Sequence, residues 1–86
     1  MKYDVLIVED EDDIRELLRY NLEKAGYDYA EAPSGESGWN KIQDIQPDLI
    51  LLDLMLPGID GLEVCDRIKT ELKHLNIPVI MLTAKG

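Results

Sequence analysis

The chain has 86 residues, enough for one domain and too few for a second. Hydrophobic residues make up an ordinary 45%, while 18 acidic against 9 basic residues give a net charge of −9, which disfavours direct contact with nucleic acid. Cys65 is the only cysteine, excluding an intrachain disulfide, and the apolar run Val5 to Val8 is far short of a signal peptide or a membrane span, so a soluble, cytoplasmic protein with no membrane partner is expected.

In chain order, Val5-Leu6-Ile7-Val8 reads as a buried strand that opens into the acidic cluster Glu9 to Asp13. Ile14, Leu17, Leu18, Leu22 and Ala25 then recur at helical spacing, with Asp12 or Asp13 as the cap and Gly26 as the stop. Tyr27 to Ala32 alternates weakly, as an edge strand does, and Pro33-Ser34-Gly35 turns the chain so that Ser34 can cap a second helix running to about Ile45. Gly35 and Gly38 lower the helix propensity of that segment. Leu49-Ile50-Leu51-Leu52 is apolar on both faces, which predicts a central strand covered on both sides, and it stops at Asp53. After Pro57-Gly58, Asp60 can cap a third helix that buries Leu62, Cys65, Ile68 and Leu72; His74 to Asn76 form a loop, and Pro78 to Leu82 form a fourth strand ending at Thr83-Ala84-Lys85-Gly86. The order β-α-β-α-β-α-β prescribes right-handed crossovers and a doubly wound parallel α/β sheet.

Ligands of open α/β sheets bind beyond the carboxyl ends of the strands. Glu9 and Asp10 end the first strand, Asp53 the third and Thr83 the fourth, so the topology sends all four to one rim. Three carboxylates at ~4 Å and an effective dielectric near 20 repel by about 4 kcal/mol per pair, whereas a divalent ion at the same distance attracts each by about 8 kcal/mol. A metal is therefore expected, and oxygen-only ligands with room for water and phosphate favour Mg²⁺.

These residues resemble the receiver domains of bacterial two-component response regulators. The likeness rests on Val8-Glu9-Asp10-Glu11, on Asp48 to Gly61 with Asp53 at its centre, and on Pro78 to Lys85. It implies a flavodoxin-like sheet of order 2-1-3-4 and a phosphorelay function in which Asp53 accepts a phosphoryl group from a sensor histidine kinase phosphohistidine. It further implies a Mg²⁺ site in which Asp10 holds the ion directly, Glu9 acts through water, Met55 contributes its backbone carbonyl and Asp53 is among the metal residues. Thr83 turns its hydroxyl to the phosphoryl oxygens, and Ala84 leaves room beside them. The family continues with a helix, a strand carrying a lysine and a final helix, so residues 1–86 are expected to be the N-terminal part of a receiver, with the edge of the fourth strand open to a second copy in a homo-oligomer.

Other readings remain open on the residues alone. Glu9 or Asp10 taken singly would as readily begin a loop or cap a helix, Thr83 would as readily bond backbone, and Cys65, Trp39 and His74 read as a core thiol, a packing ring and an exposed loop residue. An aspartyl-phosphate hydrolase would want an acid where Met55 stands, and a flavin carrier would want a neutral phosphate loop where Glu9 to Asp13 stand. Neither the hydrolase nor the electron carrier is expected. The main alternative to a phosphorylated switch is a truncated structural fragment that self-associates without being phosphorylated.

Overall fold

The computed structural model describes residues 3–82. Its elements follow the predicted order: β1 (Val5–Val8), α1 (Asp12–Ala25), β2 (Tyr29–Ala32), α2 (Gly35–Ile45), β3 (Leu49–Asp53), α3 (Gly61–Glu71), a 3-10 turn (Lys73–Leu75) and β4 (Val79–Leu82). The strands form one parallel sheet in the order β2-β1-β3-β4, the flavodoxin-like arrangement. Because the chain steps from β1 to β2 in one direction and then from β2 to β3 and β4 in the other, right-handed crossovers put α1 on one face and α2 with α3 on the opposite face.

The two faces are unequally covered. Leu6, Val8, Ile50 and Leu52 point toward α2 and α3 and are fully buried with Ala32, Ile42 and Val64, and Ile68 completes this core. On the α1 face, the register aligns Glu31, Ile7, Leu51 and Ile80 in one row across the sheet. Exposure grows along it: Ile7 is fully buried, Leu51 half-buried and Ile80 50% exposed. β3 is thus central in the sheet but covered fully on one face only among the described residues, with α1 packed chiefly against β2.

The helices carry the expected chemistry with two exceptions, one at a boundary and one on a buried face. Gly26 takes a left-handed conformation (φ 87°), its N–H donates to the Glu23 carbonyl and that of Tyr27 to the Leu22 carbonyl, closing α1 in a Schellman motif. Ser34 and Ser37 form a capping box at α2, and Asp60 accepts the Glu63 N–H at 2.9 Å to start α3. The cap of α1, however, is Glu11, with no side-chain cap hydrogen bond, rather than Asp12 or Asp13, both of which lie inside the first turn. In α3, Leu62 is 64% exposed and Val64 is buried instead, since Val64 and Ile68 share the i, i+4 line that meets the sheet and Leu62 lies well off it. The glycines of α2 also have a packing reason: a Cβ on Gly38 would lie 2.8 Å from Val8 Cγ1, and one on Gly35 2.2 Å from the Ile59 carbonyl oxygen. The missing side chains let α2 sit close on β1 and on the loop after β3, at the cost of weaker helix propensity.

Candidate functional site

The carboxyl ends of β1 and β3 adjoin because Val8 is paired with Leu52. The residues that follow, Glu9 and Asp10 on one side and Asp53 on the other, therefore meet at one rim, and one oxygen from each lies within 4.8 Å of the others. Glu9 is 2% and Asp53 8% exposed, while Asp10 faces solvent. The Met55 N–H donates to Asp53 Oδ1 at 3.2 Å and the Glu11 N–H to Glu9 Oε2 at 3.0 Å, so backbone orients both buried carboxylates.

Gly61 makes this geometry tight. A Cβ there would lie 2.1 Å from the Asp53 carbonyl oxygen and 2.9 Å from Leu54 Cα, so the N-terminus of α3 rests directly on the backbone that carries Asp53. The Gly61 N–H donates to the Leu54 carbonyl at 3.1 Å. Sequence reasoning read the Asp60-Gly61 pair as the start of a helix and missed this contact, because nothing local marks a glycine as pressed against a distant strand end.

The three carboxylates gather negative charge at one rim. Burial pushes the Glu9 carboxyl above the usual carboxylate range; the Glu11 N–H opposes this, and the charges of Asp53 and Asp10 add to it. Among the described residues no lysine or arginine forms an ion pair with Glu9, Asp10 or Asp53. A buried carboxylate without a cation is unfavourable, so the donor set, three carboxylates and no nitrogen or sulfur, fits a hard divalent ion.

Of the other expected site residues, Met55 lies two positions past Asp53 with its side chain 66% exposed. Thr83 and Ala84 lie outside the described residues. His74 is exposed in the 3-10 turn, and Trp39 is half-buried with the Arg67 guanidinium 5.8 Å from its ring centroid, as expected of an exposed loop residue and a packing ring. Sequence reasoning also passed over Arg15. Its Nη1 donates to the Glu9 carbonyl at 2.8 Å and to the Asp10 carbonyl at 3.4 Å, its Nη2 contacts Asp12, and its Nε donates to Glu31 Oε1 at 3.2 Å. Only the pairing of β2 with β1 brings Glu31 to that place.

Comparison with known proteins agrees with this geometry. The response regulator receiver domain family matches residues 5–86. The chain is 47% identical over 85 residues to the alkaline phosphatase synthesis transcriptional regulatory protein PhoP of Bacillus subtilis, covering 99% of this chain and 35% of that protein. It is 50% identical over 82 residues to the phosphate regulon transcriptional regulatory protein PhoB of Pseudomonas aeruginosa, covering 95% of this chain and 36% of that one. The chain thus spans about a third of the length of these curated relatives. Among solved structures, the N-terminal domain of a response regulator receiver protein from Methanoculleus marisnigri superposes with a TM-score of 0.89 at 42% identity, covering 98% of this chain and 68% of that one. Response regulator TrrA of Thermotoga maritima, solved in complex with Mg²⁺-BeF, superposes with a TM-score of 0.86 at 40% identity, covering 100% of this chain and 72% of that one. With the family match running from the first strand onward and solved receiver structures superposing on the whole fold, the chain belongs to the response regulator receiver domain family.

Proposed function

We propose that this chain is a phosphoryl-accepting switch of a two-component system, with Asp53 as the acceptor. The observation that carries the reading is the convergence of Glu9, Asp10 and Asp53, residues far apart in sequence, to within 4.8 Å at the carboxyl rim of the sheet. Receiver membership supports a signalling role over turnover catalysis. The donor of the phosphoryl group is a phosphohistidine on a sensor histidine kinase. An Asp53 carboxylate oxygen attacks phosphorus in line, the P–N bond breaks with its electron pair leaving on the imidazole, and an acyl phosphate forms on Asp53. The Met55 N–H on Oδ1 fixes the carboxylate plane for that approach.

Asp10 and Asp53 would hold Mg²⁺ directly, Glu9 would do so through water, and the backbone carbonyl of Met55 would complete the protein ligands. When bound, the ion supplies neutralisation of the charge on the phosphoryl oxygens. The proposal assigns Thr83 the hydroxyl that meets those oxygens and Ala84 the space beside them. Several relatives are named transcriptional regulators; in this chain the charge of −9 argues that any DNA contact is made by other parts of such proteins. No helix among the described residues is long and apolar enough to cross a membrane; receiver membership is what supports a cytoplasmic site of action.

The test is thermal melting with Mg²⁺ and beryllofluoride, a phosphoryl mimic. The expected result is a rise in melting temperature with Mg²⁺ that grows with the mimic, the mimic's increment being lost in Asp53→Asn. An unchanged melt under every condition sinks the reading and favours the structural alternative. One observation supports that alternative as an added property: among the described residues β4 pairs only with β3, and Ile80 beside that edge is half exposed. Such an edge suits self-association into a homo-oligomer, and a monodisperse monomer in light scattering would rule this out.

A further inference from the structure

The loop between β1 and α1 carries two of the three rim carboxylates, yet the helix that follows is capped by Glu11 without a side-chain cap hydrogen bond. Arg15 fastens that loop from one turn inside the helix. The guanidinium bonds the carbonyls of both Glu9 and Asp10, while Nε is held by Glu31 on β2, which Arg19 also grips at 2.8 Å. The Arg15 side chain is only 16% exposed, so it is packed as well as bonded. A planar fork with several donors can serve two carbonyls and two carboxylates at once, which a lysine cannot.

We propose that Arg15, anchored by Glu31, is a positioning residue that sets the affinity of the acidic rim for Mg²⁺ by holding the backbone of Glu9 and Asp10. The inference rests on the reading of that rim as a Mg²⁺ site. A cation so near the rim would also repel the ion, and the sign depends on which effect is larger. Arg15 and Arg19 are matched by Asp12 and Glu31, so the assembly of four side chains is neutral and its field at the rim is weak. The tether is left as the dominant effect. Groups that orient metal ligands through hydrogen bonds are worth about ten- to a hundredfold in metal affinity.

Calorimetric titration with Mg²⁺ alone, beside thermal melts in chelator, tests this on the wild-type chain and on Arg15→Gln, Arg15→Lys and Glu31→Gln. Arg15→Gln should weaken Mg²⁺ binding about tenfold. Arg15→Lys, with a single ammonium for the Glu9 carbonyl, should recover part of the loss, and Glu31→Gln should show a smaller loss while leaving every rim residue in place. A merely structural role would lower the melting temperature of the metal-free variants and leave the affinity of the folded fraction unchanged, and that result overturns the proposal. Tighter binding by Arg15→Gln overturns it too, because repulsion then exceeds the tether. Should Arg15→Gln fail to fold, Glu31→Gln decides, and wild-type affinity in that variant refutes the anchor. Wild-type chain that binds no Mg²⁺ removes the metal-site reading itself, an outcome distinct from normal wild-type binding with indifferent variants.

Discussion

Replacing Gly61 by alanine probes how tightly the acceptor is built into the fold. In an ordinary helix position glycine to alanine stabilises by about 0.5–1 kcal/mol, because the unfolded chain loses freedom and the helix gains propensity. At Gly61 the sign should reverse. The new Cβ would meet the Asp53 carbonyl oxygen at 2.1 Å, and relieving this to 3.4 Å takes a shift of about 1.3 Å in backbone that cannot rotate away as a side chain would. Overpacking of this kind costs about 1–3 kcal/mol, which for a domain of this size lowers the melting temperature by roughly 4–24 °C. Since the atom struck belongs to Asp53, Gly61→Ala should also diminish the stabilisation by Mg²⁺ and beryllofluoride. Gly26→Ala is the control: nothing lies within 4 Å of its Cβ, and only the φ of 87° is strained. It should cost about 1–2 kcal/mol and leave the response to Mg²⁺ intact. Thermal melts of both variants with and without Mg²⁺ make the measurement. A Gly61→Ala chain that melts at or above the wild-type temperature would refute the claim that α3 is pressed onto the strand end.

Two further outcomes follow from the site and the caps. The Glu9 carboxyl is raised in the folded state, so in metal-free buffer its contribution to stability is present below the unfolded carboxylate pKa and is lost as pH rises through the folded value. Glu9→Gln should abolish that part of the pH dependence, melt higher than wild type at neutral pH in chelator and gain less from Mg²⁺; melting curves from mildly acidic to neutral pH that superpose for the two proteins would contradict this. Ser34→Ala removes the side-chain acceptor of the Ser37 N–H and half of the capping box, and should cost about 1 kcal/mol in urea unfolding with no effect on Mg²⁺ affinity.

The sequence was most informative where local rules and topology coincide. Apolar runs ending in acids defined β1 and β3, Gly26 and Asp60 marked helix ends, the alternation of strands with helices prescribed a parallel doubly wound sheet, and the receiver resemblance supplied the strand order that brings Glu9, Asp10 and Asp53 together. Periodicity could not tell Leu62 from Val64, since both fit an apolar stripe until the position of the sheet is known, and it could not show that β3 lacks full cover beside β4. Asp12 and Asp13 looked like caps because capping residues cluster there, whereas the hydrogen bonds of the loop before them placed the boundary at Glu11.

Residue order alone determined the elements, the parallel sheet and the carboxylates at its rim, because each follows from spacing along the chain and from the handedness of L-peptide crossovers. Tertiary structure decided which neighbours those carboxylates have. Gly61 beneath Asp53 and Arg15 between Glu31 and the first loop are contacts across elements, fixed by the register of strands and by how closely helices approach them, and neither leaves a periodic trace in the sequence.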